Sequence, residues 1–400
     1  MTDRLYYTDP YLAEFDAQVL DSSSDENGRR IVALDRTAFY PSSGGQPHDT
    51  GVLGSARVVD VIDREDGTIA HVIEGELEAG SVHGRIDWDR RFEHMQQHTG
   101  QHVLSAAFDH LLDARTVSFH LGTVSATIDL AKEVSPPDIA RAEAEANRIV
   151  WEDRPVHIRF ADAEEASKLP LRKEPARGGR LRLIDVEGFD LSACGGTHVA
   201  RTGGIGNIAV ASGERFRGGT RVEFLCGVRA LRAFRDLRNS VADSTRLLSV
   251  LPSELGVAIE RLQSEGRDSK RRLKESQAAL ASFEAQVLAS KAVSHGGIGV
   301  VTGAMNGWDA NGLKQIASQI VARQGFFVTL VSASVPASVV VARSADVPID
   351  SASILRQLTG RFGGKGGGRS ELAQGGGLLG SSNDILEFAR SVILTVNPEP

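Results

Sequence analysis

A chain of 400 residues is too long for one ordinary hydrophobic core and calls for two or three domains. Its 41% hydrophobic and 24% charged residues are those of a soluble globular protein, and a net charge of -7 excludes a protein that coats nucleic acid by bulk charge, leaving only focal contacts. No run of about 18 apolar residues occurs, and residues 1–5 lack a basic then apolar leader, so the expected location is the cytoplasm with no membrane partner.

From residue 11 to about 85, short runs such as Arg30-Ile31-Val32-Ala33-Leu34 and Val58-Val59-Asp60-Val61-Ile62 alternate apolar and polar positions between Gly, Asp and Ser, the pattern of a small antiparallel barrel. Inside it lies Phe39-Tyr40-Pro41-Ser42-Ser43-Gly44-Gly45-Gln46. Composition favours a surface turn here. The functional alternative is a loop whose Gly44 and Gly45 let a substrate approach the backbone while Gln46 hydrogen-bonds it.

Residues 90–112 read as a helix with an apolar stripe through Phe92, Met95, Val103 and Ala106. Strands are expected at 116–122 and 126–130, a helix at 136–151 opened by Ser135 and Pro136, and further strands at 156–160, 181–186, 205–210 and 220–224, which complete a sheet. The stretch 172–180 is a basic, breaker-rich loop, with Arg177 as a candidate phosphate contact. Residues 229–289 change to long helices, a hairpin or short coiled coil serving as a spacer, although Gly266 and Ser269 fall on its seam. From 295 onward, apolar strands at 298–301 and 326–331 alternate with helices as in a small α/β domain. Near its end, residues 363–377 carry Lys365 and Arg369 among glycines. They read as backbone amides and cations facing a phosphate ahead of a helix start. The stretch does not match a Walker A loop, so nucleotide hydrolysis is not indicated and ATP binding is left open.

Four residues stand out against this background. His98 and His102, four apart on the expected helix, share one face, and Cys194-Gly195-Gly196-Thr197-His198 brings a thiolate and an imidazole together across a glycine turn. Taken together they form a zinc ligand set, soft and borderline donors suited to a reducing compartment. The chain has 2 cysteines. Cys194 is explained as a ligand and Cys226, in an apolar run, as a buried residue. Thr99 stands where His-Glu-x-x-His would place the glutamate base of a zinc protease, so proteolysis is a poor reading. Hydrolysis of a more activated bond such as an ester, or a structural metal, remains.

The His98/His102 and Cys194/His198 pairs, the 39–46 motif and the 363–377 stretch together resemble the AlaX-type alanyl-tRNA editing proteins, which look like the editing and C-terminal parts of alanyl-tRNA synthetase. The resemblance covers nearly the whole chain. It implies an α+β multidomain architecture: a β-barrel at 1–89, a zinc-containing editing domain at 90–228, a helical spacer at 229–292, and a C-terminal α/β domain at 293–400 for tRNA binding and homodimer formation. With no segment ahead of the barrel to hold a synthetase domain, it also implies a trans-editing hydrolase. Its substrate would be tRNA(Ala) mischarged with serine, glycine being a second candidate, and its cofactor Zn2+ held by His98, His102, Cys194 and His198. Gln46, Thr116, His98 and His102 are then the candidate catalytic residues, Thr116 being the candidate reader of the serine hydroxyl. Gly44, Gly45, Gln46, Thr116, Arg177, Lys365 and Arg369 are the candidate substrate contacts. The competing reading is a non-enzymatic tRNA-binding protein with a structural zinc; a metal-dependent phosphoesterase is a weaker third.

Overall fold

The structure, a computed structural model, describes residues 1–24, 28–172 and 180–396, so Arg177 lies outside the described residues. The chain divides into two compact units, Met1–Ser244 and Thr245–Pro400.

The first unit opens with a closed barrel of β1 (Glu14–Ser24), β2 (Arg30–Leu34), β3 (Gly51–Leu53), β4 (Ala56–Asp63), β5 (Ile69–Glu74) and β6 (Ser81–Ile86), in the order β1-β2-β5-β4-β3-β6. Strict alternation in β6 sends Val82, Gly84 and Ile86 inward. In β4 the alternation breaks between Val58 and Val61 because a register shift lies between Val58 and Asp60, the extra residue of a bulge that returns Val61 to the core. Phe39, at the head of the glycine motif, is fully buried in this barrel core with Leu34, Leu53 and Val58.

Helix α1 (Trp88–Leu112) follows, capped by Asp87, whose carboxylate accepts from the Arg90 amide. Every residue from His94 to Phe108 is buried. A helix buried all round must find partners inside the protein for most of its polar groups, and Gln97 and Arg91 show how. Gln97 donates to the Cys226 carbonyl at 2.9 Å and accepts from the Cys226 amide at 2.9 Å. Arg91, with no exposed surface, donates to the Asp49 carboxylate at 3.0 Å and to the Pro10 carbonyl at 2.8 Å, which fastens the helix to the barrel.

Around α1 lie β7 (Thr116–Leu121), β8 (Ala126–Leu130), α2 (Pro136–Trp151), β9 (Val156–Ala161), β10 (Leu181–Val186), β11 (Asp190–Ala193), β12 (Ile208–Phe216) and β13 (Gly219–Cys226). They form two sheets rather than the single one expected: β12-β13-β8-β7 and a separate antiparallel β9-β10-β11. Ile205 belongs to a 3-10 turn, and the strand expected to begin there starts at Ile208. Apolar faces of α1, α2 and the four-stranded sheet meet in one core through Met95, Leu104, Phe108, Ile128, Ile149 and Phe224. Cys226 is buried in that core.

Two helices follow, α3 (Gly227–Leu248) and α4 (Leu255–Ser290), separated by Ser249, in the left-handed region at φ 53°, and by Pro252. The second unit holds a six-stranded sheet of β14 (Val293–His295), β15 (Ile298–Met305), β16 (Phe326–Ser332), β17 (Ala337–Arg343), β18 (Lys365–Gly368) and β19 (Leu372–Leu378), with α5 (Ala310–Val321), α6 (Ser351–Phe362) and α7 (Ser382–Val396). Its order is β14-β15-β16-β17-β19-β18, and only β15 and β16 run parallel. Ala281, Ala285 and Ala289 of α4 share a core with Leu313 and Ile316 of α5 and Leu330 of β16.

The glycine stretch at 363–377 is therefore not a loop ahead of a helix. It is an antiparallel pair at the sheet edge, joined by a turn in which the Arg369 amide donates to the Leu372 carbonyl at 2.9 Å, and the next helix begins only at Ser382. Close approach explains the composition. A Cβ on Gly366 would stand 2.6 Å from Gly375 Cα and 3.1 Å from Leu355 of α6, so no larger residue fits between strand and helix.

Candidate functional site

His98 and His102 project from one face of α1, and Cys194 and His198 follow β11 in a turn held by a buried arginine. Arg182 of β10 donates to the carbonyls of Cys194 and Gly196, each at 2.8 Å, and its Nε reaches the Tyr7 carbonyl at 2.9 Å. Gly196 lets that turn press against the helix, since a Cβ there would collide with the His98 ring.

The ligand atoms of His98, His102, Cys194 and His198 all lie within 4.8 Å of one another. Each imidazole is oriented from behind. The Nδ1 of His98 donates to Gln46 Oε1 at 2.8 Å, that of His102 to Asp190 Oδ2 at 3.0 Å, and that of His198 to Thr99 Oγ1 at 3.2 Å. Thr99 spends its own proton on the Met95 carbonyl at 2.9 Å, so toward His198 it is an acceptor. All three Nε2 lone pairs are thereby free to bind a cation. Cys194 Sγ stands 3.3 Å from the Nε2 of both His98 and His198. Ligands of a tetrahedral zinc with bonds of about 2.0–2.3 Å are spaced by roughly 3.5 Å, so the donor set fits that ion in kind and in spacing.

The electrostatics agree. Burial would raise the Cys194 thiol, but the neighbouring imidazoles of His98, His198 and His102 hold it well below its ordinary value, in the thiolate form a metal takes. Burial, then the charge of His98, lowers His198 to about 3, keeping it neutral. Burial also opposes protonation of His102, yet hydrogen bonds to Asp190 and Cys194 raise it to about 9; a bound cation would displace the proton on the Cys194 side and leave the one facing Asp190. Asp190 is held ionised, against its own burial, by His102 and by Arg172, whose Nε lies 2.6 Å away.

Beside the cluster is a pocket of about 190 Å³, small against the roughly 300–1,000 Å³ of sites for drug-sized ligands. His102 and Cys194 form part of its wall, together with Gly44, Gln101, Thr116 and Phe119. Arg172, Ser118 and Ser192 also line it, and among the described lining residues none is acidic.

The residues singled out from the sequence take distinct places. Gly44 and Thr116 line the pocket. The Gly45 carbonyl accepts from the Leu121 amide at 3.2 Å, which seats the glycine motif on β7. Gln46 is 1% exposed and faces protein: besides holding His98, its Oε1 accepts from the Thr197 amide at 3.1 Å and its Nε2 donates to Thr197 Oγ1 at 2.8 Å. Lys365 and Arg369 are exposed in the second unit, where Arg369 and Lys314 border an open depression with Gly367, Gly368 and Gln374. The sequence reading missed Asp190, Arg172, Gln101, Ser105 and Arg182. Asp190-Leu191-Ser192-Ala193-Cys194 lies within four residues of a ligand, the one local signal that was available.

Fold and site define a class, an α+β protein with an interior His/Cys cluster able to hold a metal. Residues 181–223 match the threonyl and alanyl tRNA synthetase second additional domain, residues 2–90 the class II (A) tRNA synthetases, and residues 297–395 the DHHA1 domain. The alanyl-tRNA editing protein AlaX-L of Pyrococcus horikoshii is 33% identical over 394 residues, covering 94% of each chain, and this chain belongs to that family. Alanine–tRNA ligase of Pyrococcus furiosus is 35% identical over 389 residues, 94% of this chain but 42% of the ligase, so the chain spans less than half the length of that relative. The C-Ala domain from Aquifex aeolicus alanyl-tRNA synthetase aligns with 27% of the chain at 22% identity and a TM-score of 0.24, a score that carries no argument about fold. Among the described residues no helix is long and apolar enough to cross a membrane.

Proposed function

We propose that this protein is a zinc-dependent deacylase that removes serine, with glycine a second candidate, from mischarged tRNA(Ala) in trans. The observation that carries the reading is that two of the four metal-ligand residues, His102 and Cys194, also wall a pocket sized for a small aminoacyl group. Zinc held by His98, His102, Cys194 and His198 would supply Lewis-acid polarisation of the ester and of the attacking water.

The chain's own residues do the rest. Asp190 fixes the His102 ring, Gln46 the His98 ring and Thr99 the His198 ring. Phe119, its ring 5.9 Å from that of His98, gives the pocket an apolar wall. Thr116 donates its proton to Ser105 Oγ at 2.8 Å, so toward the pocket its oxygen is an acceptor that suits a serine hydroxyl and has nothing to pair with in alanine. The absence of an acidic lining residue suits an activated ester better than an amide. Lys314, Lys365 and Arg369 are the candidate grip on tRNA phosphates, and residues 293–400 the candidate dimer contact. Incubation with Ser-tRNA(Ala) and Ala-tRNA(Ala) tests the reading: seryl ester should disappear while alanyl ester persists, and equal survival of both would overturn it.

One observation favours a second reading, tRNA binding without catalysis. Four protein donors already fill the coordination of a closed structural zinc. In that case His98→Ala would unfold the first unit, and bound seryl-tRNA would never be cleaved.

A further inference from the structure

Gln101 lines the pocket between His98 and His102, is 3% exposed, and carries an unexplained atom: its Oε1 is buried with no hydrogen-bond partner. Its Nε2 is committed, donating at 2.8 Å to Ser105 Oγ one helical turn on, and Ser105 is fully buried. Thr116 Oγ1 donates to the same Ser105 oxygen at 2.8 Å. Ser105 thus takes one proton from each neighbour, and this fixes the polarity of both. Beyond these bonds Gln101 keeps its Oε1 acceptor and one Nε2 proton, and Thr116 keeps the acceptor face of its oxygen.

A seryl ester brings one hydroxyl proton and three ammonium protons. The hydroxyl proton has its acceptor in Thr116. The α-ammonium needs another, and among the described residues lining the pocket none is a carboxylate, while the nearby Asp190 is taken up by His102, Arg172 and Ser192. A desolvated amide oxygen without a donor is the complement of a charged N–H. The geometry points to Gln101 as a specificity-determining residue whose Oε1, set in place by Ser105, accepts from the substrate's free α-ammonium group. Gln101 then selects a free aminoacyl ester over one whose amine is blocked, a choice separate from serine against alanine. The inference rests on the deacylase reading.

The test compares wild type with Gln101→Leu and Ser105→Ala under single-turnover conditions, on seryl-tRNA, N-acetylseryl-tRNA and alanyl-tRNA of alanine identity, with zinc content and thermal unfolding checked for each protein. Wild type should favour the free seryl ester over the acetylated one, and Gln101→Leu should shrink that preference roughly 10-fold or more, the scale of one charge-assisted hydrogen bond. Ser105→Ala should shift it the same way by less and, by freeing the Thr116 proton, also lower the seryl-to-alanyl ratio, whereas in Gln101→Leu that ratio should hold. General damage to the site would lower every rate and leave the amine preference intact, and that result overturns the proposal. So does a fall in the seryl-to-alanyl ratio with the amine preference unchanged, which would assign the hydroxyl to Gln101. If wild type cleaves no seryl-tRNA, the deacylase reading itself fails.

Discussion

The two units treat polar side chains in opposite ways. Among the described residues, Met1–Ser244 buries Arg91, Asp49, His71, Gln97, Arg182 and Asp190 along with three of the four ligand residues, whereas the buried polar side chains of Thr245–Pro400 are all serine or threonine. Burying charge and imidazole is costly unless the groups are matched, and in the first unit each imidazole of the cluster has a hydrogen-bond partner behind it. The second unit keeps its cations Lys314, Lys365 and Arg369 on the surface, over a core of branched aliphatics. One unit keeps imidazole and charge in a dry interior and the other keeps its cations in water, and the two should fail under different insults.

The largest contrast is expected at the ligands. Cys194→Ser should lower seryl-tRNA deacylation by roughly 10³-fold or more, the loss of several kcal/mol of Lewis-acid stabilisation, while the salt-dependent affinity for tRNA barely changes. Deacylation rates beside filter-binding constants would check both halves. A tRNA affinity that fell in step with activity would erase the division of labour.

Acid should separate the units next. Burial lowers His71 to about 4 from 6.5, and in the barrel it bonds to Thr37 Oγ1 at 2.8 Å as a neutral ring. The unfolded chain therefore takes the proton first. The stabilisation is complete above pH 6.5 and is lost as the pH falls toward 4. It amounts to on the order of 3 kcal/mol. Calorimetry at pH 7 and pH 4.5 should show the first unit's transition dropping and the second's holding, with His71→Gln reducing the difference. Equal shifts in both transitions would contradict the contrast.

The residues behind the ligands should give intermediate effects. Asp190→Asn and Gln46→Ala each release one imidazole and should cost about 10–100-fold in zinc affinity, readable by competition with a chelator. Smallest is the surface: the double change Lys365→Ala, Arg369→Ala should flatten the slope of log affinity against log salt by about one to two and reduce kcat/KM several-fold, with zinc content unchanged.

The sequence disclosed what is local. His98 and His102 are one helical turn apart and Cys194 and His198 are joined by a tight turn, so both pairs could be read from spacing, as could the period-2 strands of the barrel. Their supports could not. Asp190 meets His102 across 88 residues and Gln46 meets Thr197 across 151, and no periodicity encodes such contacts. Glycines beside Gln46 suggested an opening for substrate, whereas the side chain turns inward behind His98. At 363–377 the same residue type had a third use, room for two strands under Leu355, which composition alone does not separate from a phosphate loop.

Deacylation of seryl-tRNA(Ala) by zinc-free and zinc-restored protein, followed alongside far-UV circular dichroism, addresses the joint role of pocket and metal cluster most directly. The zinc-free protein should keep the helix and strand signal yet lose hydrolysis, and zinc should restore it, with alanyl-tRNA spared throughout. Hydrolysis that runs equally fast without zinc, or a zinc-loaded protein that binds seryl-tRNA and leaves the ester intact, would contradict the deacylase assignment.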